Sequence, residues 1–211
     1  MANVKISALP AATTVASADV LPIVQSAITK KATFQVLSDA LGVTSTVANT
    51  SPGLVYIKSQ TIGSSVSSVT VSDAFSSLYD NYQILVSGGT ASTSSGYLSL
   101  QLGSATTNYR YDYISANLAS GTPTSAGSVG AANFPYIGFK GGNCVSAVIE
   151  VNSPFLAMQT MVSAPAGQVG NNMGTFVGVQ LDTTSFTSFV IGASTGTITG
   201  GTITVYGYRK A

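Results

Sequence analysis

The side chains able to do chemistry in this 211-residue chain are few and do not cluster along the sequence. Histidine is absent, which removes the usual base for a serine or cysteine nucleophile and the commonest transition-metal ligand. The carboxylates are Asp19, Asp39, Asp73, Asp80, Asp112, Glu150 and Asp182. Asp73 and Asp80 flank a short segment, where Asp serves as a cap or turn former. Only Asp112, Glu150 and Asp182 stand where two carboxyls could meet across a glycosidic bond, and each reads more simply as a polar strand position or strand end. A calcium loop needs clustered oxygens in a D-x-D-x-D pattern, and none occurs. The stretch Gly138-Phe139-Lys140-Gly141-Gly142 lacks the Ser or Thr after lysine and the following helix that a phosphate loop requires, so its glycines read as turns and bulges. The single cysteine, Cys144, lies in the strand-like run GNCVSAVIEV and is expected to be buried as a small hydrophobe. The chain reads as a non-enzyme that needs no cofactor and no metal.

One constellation has the chemistry of a binding site. In the run NYRYDY, Tyr109, Tyr111 and Tyr113 alternate onto one face of a strand, while Arg110 and Asp112 share the other. Such an aromatic ridge stacks on the C–H faces of sugars, so a host-surface glycan is one candidate ligand. The same ridge serves equally to fill a core or a subunit interface, where tyrosine combines apolar area with a hydroxyl that needs a partner. Small polar loops at residues 92–95 and 120–128 are the other candidate places for a glycan site, because loop tips of this kind tolerate variation.

The elements that must position these residues are strands. From residue 54 onward apolar residues recur with period two between Gly, Asn and Ser clusters. The runs fall at residues 54–57, 66–71, 82–86, 97–102, 109–114, 134–139, 145–151, 156–162, 175–181, 186–191 and 202–208. A single helical turn, capped by Asp73, is expected in DAFSSLY. In the closing run TITVYGY, Ile203 and Val205 should face one side and Thr202, Thr204, Tyr206 and Tyr208 the other. Ten or eleven short strands without helical crossovers predict a mainly β body, an antiparallel β-sandwich of jelly-roll type. No fixed-period repeat points to a solenoid or β-helix.

Composition narrows the setting. Charged residues are 7% of the chain, where a typical soluble domain has about 25%. Mean hydropathy is +0.37. A surface covered by hydroxyls, glycines and backbone costs little to desolvate and suits packing against other subunits. Net charge is +1 and the basic residues are scattered, so there is no stripe to neutralise phosphates and no nucleic-acid partner is expected. No apolar run approaches the ~20 residues of a spanning helix, and membrane insertion is not expected. The N-terminus does not read as a secretory signal, since Pro10, Thr13, Thr14, Ser17 and Asp19 interrupt any apolar stretch.

The first forty residues have a different texture. Residues 19–25 (DVLPIVQ) and 28–34 (ITKKATF) read as two extended runs around Ser26-Ala27, with Lys30 and Lys31 on the hairpin turn. Thr33 stands as the N-cap of a short helix bearing Phe34, Val36, Leu37 and Leu41 near one face, and Gly42 as its C′ residue. The expected organisation is a small hairpin-plus-helix module over residues 1–42, a linker over 43–53 and the β body over 54–211. A module this small cannot bury enough apolar surface alone and must dock on something.

The string KISALPAATTV, then ADVLPIVQ, then TKKATFQVLSDAL resembles the N-terminal attachment segment of tail fibres and other virion appendages of tailed bacteriophages. The closing strand and YDNYQILVSGG are similar, less specifically, to β-sandwich domains of phage fibre and head-decoration proteins. The resemblance implies a structural virion protein, made in the host cytoplasm and assembled as a homotrimer. It would dock by its N-terminus on a portal, adaptor, tail or capsid protein. Leu21, Ile23, Val24, Phe34, Leu37 and Leu41 would then be buried between copies or against the particle, with Lys30 and Lys31 facing solvent or an acidic partner. A tail fibre or tail appendage that touches the host surface is the first expectation, and a head fibre or capsid-cementing decoration protein the second. A non-viral carbohydrate-binding module is a third, against which the missing signal and the lack of disulfides speak.

Overall fold

The computed structural model describes residues 20–25, 28–33, 53–93, 96–168 and 172–210. The chain divides into two compact units, Met1–Pro52 and Gly53–Ala211. In the first, β1 (Val20–Gln25) and β2 (Ile28–Thr33) form an antiparallel hairpin whose register runs from Val20↔Thr33 to Gln25↔Ile28. Leu21 pairs Ala32, Ile23 pairs Lys30 and Val24 pairs Thr29. The two lysines are therefore not on the turn: Lys30 and Lys31 stand inside β2, opposite Ile23 and Pro22, because the strand continues in register past them. Lys31 is exposed and its neighbour Ala32 is buried. Thr33 closes β2 as a strand residue. Phe34, Leu37, Leu41 and the helix expected to carry them lie outside the described residues.

The second unit is antiparallel β throughout. Its strands are β3 (Leu54–Thr61), β4 (Ser68–Val71), β5 (Asn81–Ser87), β6 (Thr90–Ala91), β7 (Tyr97–Leu102), β8 (Tyr109–Asn117) and β9 (Pro123–Ala131). They continue with β10 (Phe134–Gly141), β11 (Cys144–Asn152), β12 (Thr160–Gln168), β13 (Asn172–Gln180), β14 (Phe189–Ala193), β15 (Ile198–Thr199) and β16 (Thr202–Tyr208). Eight of them pair in the order β3, β16, β5, β11, β12, β13, β8, β9 and curl into a half-barrel. Four more follow the order β4, β14, β7, β10. The two sets are joined through β11, whose residues 144–146 pair with β10 and residues 147–152 with β5. A strand shared in this way turns a corner between sheets without breaking its ladder.

Alternate residues of both sets point into one buried cluster. It includes Tyr82, Ile84 and Val86 of β5, Leu98, Leu100 and Leu102 of β7, Val145, Ile149 and Val151 of β11, Phe189 and Ile191 of β14, and Ile203 and Val205 of β16. The closing strand alternates as its residues dictate, with Ile203 and Val205 inside and Tyr206 and Tyr208 half-buried on the other face. Each Leu or Ile taken fully out of water contributes about 1.5–3 kcal/mol, which makes this cluster a main source of the body's stability.

Three local expectations are corrected. The segment from Asp73 to Tyr79 holds no helical turn, and the described residues hold no helix. Asp73 has φ 50°, incompatible with a cap leading into a right-handed turn. The amides of Ala74 and Phe75 both donate to the Thr187 carbonyl, at 2.8 and 3.2 Å, which pulls Phe75 into the core 4.8 Å from the Tyr82 ring. The Tyr82 hydroxyl then closes the loop, accepting from the Ser76 N–H and donating to the Ser76 carbonyl, each at 2.8 Å. Secondly, residues 123–128 of the loop expected at 120–128 belong to the strand β9; pairing to β8 overrides the poor strand propensity of PTSAGSVGA. Thirdly, Cys144 is exposed. Val145, Ala147, Ile149 and Val151 take the inward phase of β11, which leaves Cys144, Ser146 and Val148 facing outward.

Candidate functional site

The tyrosine ridge is built as predicted on β8 and turned inward. Tyr109 is fully buried and Tyr113 nearly so, with Tyr111 half-buried between them. The Tyr109 ring meets Phe134 edge-on at 4.7 Å, Tyr111 stacks on Phe176 at 5.7 Å, and Tyr113 stacks on Tyr136 at 4.7 Å with 12° between the planes. Phe176 comes from β13, the neighbour of β8, while Phe134 and Tyr136 come from β10. Gly178 beside Phe176 makes room for this packing, since a Cβ there would stand 2.7 Å from the Phe134 ring. Tyr109 and Tyr113 thus offer no free ring to a sugar, because their neighbours already cover the faces a glycan would stack on. The Tyr109 hydroxyl accepts from the Leu102 N–H at 2.9 Å and donates to the Ala105 carbonyl at 3.2 Å. Burial pushes this hydroxyl up to about 12. Burial also raises Tyr111, helped by the Tyr136 and Tyr97 hydroxyls nearby.

The carboxylates singled out in the sequence are separated by the same sheet. Glu150 on β11 accepts hydrogen bonds from Gln83 Nε2 at 2.6 Å and Tyr208 Oη at 2.9 Å. Burial first, then the Glu150 hydrogen bond and charge, raises the Tyr208 hydroxyl. Asp182 accepts from Asn108 Nδ2 at 2.7 Å and Gln180 Nε2 at 2.6 Å. Glu150 and Asp112 share one row across the half-barrel, Glu150↔Ser163, Ser163↔Val177 and Val177↔Asp112. Three strand spacings amount to roughly 14 Å along the sheet, beyond the ~5–9.5 Å that separates the carboxyls of a glycosidase pair. Among the described residues no three Cys, Asp or Glu side chains gather as a metal site.

What the inward ridge leaves outside is the site. Because Tyr109, Tyr111 and Tyr113 face the core, Arg110, Asp112 and Ile114 face away from it, and all three are exposed. Val177 and Val179 of β13, Met161 and Ser163 of β12 and Val129 of β9 continue that face. With Arg110 and Asp112 these residues line an open trough of about 650 Å³. A second hollow of about 640 Å³, sharing Met161 and Val179, extends the trough past Met158. Its walls are unusually apolar for a surface: Val129 is 82% exposed, Met161 60% and Val177 51%. Contiguous exposed apolar surface of this kind marks a site of association. Among the described residues the charged side chains in the trough wall are Arg110 and Asp112. The Asp112 carboxylate lies over Gly127 of β9, where a Cβ would come within 2.5 Å of it. Arg110 and Asp112 do not pair with each other; the one ion pair among the described residues is Lys210 with Asp80, at 2.7 Å.

No protein-family model matches this sequence, and no curated protein matches it. The trough therefore stands on its geometry alone. Reading the sequence for ligands missed it, because neither valine nor methionine is a chemical signal. The strand NMGTFVGVQ did carry a usable one: Met173, Val177 and Val179 alternate with Phe176, so both faces of β13 are apolar, the mark of a strand covered on both sides. A second residue missed is Lys140 on β10, which is fully buried and donates to Thr93 Oγ1 at 2.8 Å. Burial lowers its pKa.

Proposed function

We propose that this chain is a structural protein of a tailed-phage virion, a homotrimeric tail fibre or tail appendage that works by adhesion and assembly without turnover. Residues 1–42 act as the docking module on a portal, adaptor, tail or capsid protein, and the body, of jelly-roll-like sandwich type, is held out toward the host surface. The observation that carries this reading is the hairpin β1–β2, because the two stretches on which the resemblance to phage attachment segments rests, VLPIVQ and ITKKAT, pair with each other in one continuous register. Two features support it. The charged fraction of 7% suits a surface that spends its life against other subunits, and the body carries an apolar outer face suited to association.

The test is location. An antibody against the body, used to gold-label intact particles from the phage that encodes the chain, should mark the tail. A chain lacking residues 1–52 should no longer be incorporated. Labelling spread over the shell would replace the tail reading with the head-decoration one, and particles that carry none of the protein would refute both.

A further inference from the structure

We infer that the trough on the outer face of β8, β9, β12 and β13 is the contact surface for a second copy of this chain. The inference rests on the self-assembly in the function proposed above and names the surface that performs it. Three observations bear on the occupant. The face is apolar at its centre, with Val177, Val179 and Met161 set side by side through the pairs Met161↔Val179 and Ser163↔Val177. Exposed methionines flank it, Met158 and Met173, and methionine and arginine are among the residues enriched where interface cores form. Its two charges are of opposite sign, two residues apart on one strand and hence about 7 Å apart along it, and neither has an ion-pair partner among the described residues.

The charge pattern selects the partner. A strongly acidic partner would gain from Arg110 and lose against Asp112, and a basic one the reverse. A second copy presents both signs at the same spacing, so Arg110 of one copy can meet Asp112 of the next while the apolar centres close on each other. In a homotrimer the three copies of this face meet around the three-fold axis, Arg110 of each copy on Asp112 of one neighbour and its Asp112 on Arg110 of the other; two copies closing face to face would give a two-fold dimer instead. Desolvated by the surrounding Val and Met side chains, such cross-copy pairs fix orientation as well as adding attraction.

Sedimentation of the full-length chain over a dilution series tests this. Arg110→Asp should raise the dissociation constant at least about tenfold, by placing two carboxylates where each copy needs one of each sign, and Asp112→Arg should do the same. Combining Arg110→Asp with Asp112→Arg swaps the charges and should restore association to within about threefold of the parent, an outcome that loss of fold cannot imitate. Both positions are exposed, and circular dichroism should show the parent spectrum for every variant. An unchanged dissociation constant in the single variants, or no rescue in the swap, overturns this interface while leaving self-assembly standing. A parent chain that is monomeric at all concentrations overturns the interface and the trimer together.

Discussion

Tyr109 links the core to a measurable pH dependence. Its hydroxyl ionises in the unfolded chain near the ordinary tyrosine value of 10.0 and in the folded protein at about 12, burial being the main cause. Between those values the unfolded chain has given up a proton that the folded one still holds, so stability falls as pH rises from about 10 and the loss is complete above about 12. The difference corresponds to about 3 kcal/mol, of which about 2 kcal/mol is lost by pH 11.5. Tyr82, Tyr97, Tyr111 and Tyr208 are raised as well, so the parent protein loses stability through several groups at once and a control is needed. Tyr109→Phe supplies it. At pH 8 the variant should be less stable by about 1–2 kcal/mol, because the Leu102 N–H loses its acceptor. By pH 11.5 most of this deficit should have vanished, because the parent has by then lost the protonation advantage that phenylalanine never had. Denaturant unfolding of both proteins between pH 8 and about 11.5 measures the difference. A deficit that stays constant across that range would refute the burial argument. Absorbance at 295 nm gives an independent check, since the buried hydroxyl should ionise only after the exposed tyrosines.

Two further outcomes follow from the packing. Cys144 is exposed, so a thiol reagent such as a maleimide should label the folded protein to completion without denaturant; labelling that appears only on unfolding would return this residue to the core. Gly178→Ala should cost about 1–3 kcal/mol of unfolding free energy, because the new methyl would lie 2.7 Å from Phe134 and 3.0 Å from Phe176, and Phe134 is fully buried with nowhere to retreat. A variant as stable as the parent would show that the aromatic cluster is loosely packed.

Legibility in the sequence followed the strength of alternation. In TITVYGY the inward Ile203 and Val205 stand against outward Thr and Tyr, and the strand was readable residue by residue. In PTSAGSVGA no residue type declares a face, and β9 exists because β8 offers it a ladder. The run at 156–162 is displaced: residues 156–159 lie outside any strand, and the strand starts at Thr160 and continues through Pro165. Proline argues against a central strand, yet β12 pairs with β11 only from Met161 to Ser163, so Pro165 stands where β12 is laddered on the β13 side alone. Cys144 was misplaced because hydrophobicity ranks a residue type, whereas exposure here depends on the phase set by the four apolar residues that follow it.

The class of the fold is already written in the order of residue types. Period-two alternation, abundant glycine turns and the absence of helical crossovers leave an antiparallel β body as the arrangement that buries the apolar residues. That order also determined that Tyr109, Tyr111 and Tyr113 share one face and that Arg110 and Asp112 share the other, since neighbouring strand residues point to opposite sides. Which of those faces meets water depends on contacts between distant strands. Phe134 and Tyr136 from β10 and Phe176 from β13 converge on the tyrosines from distant parts of the chain. That convergence turns the aromatic ridge into core and brings the charged face out among Val129, Met161 and Val177. Alternation specifies two faces and is symmetric between them; the choice is made by long-range packing, which no local pattern contains.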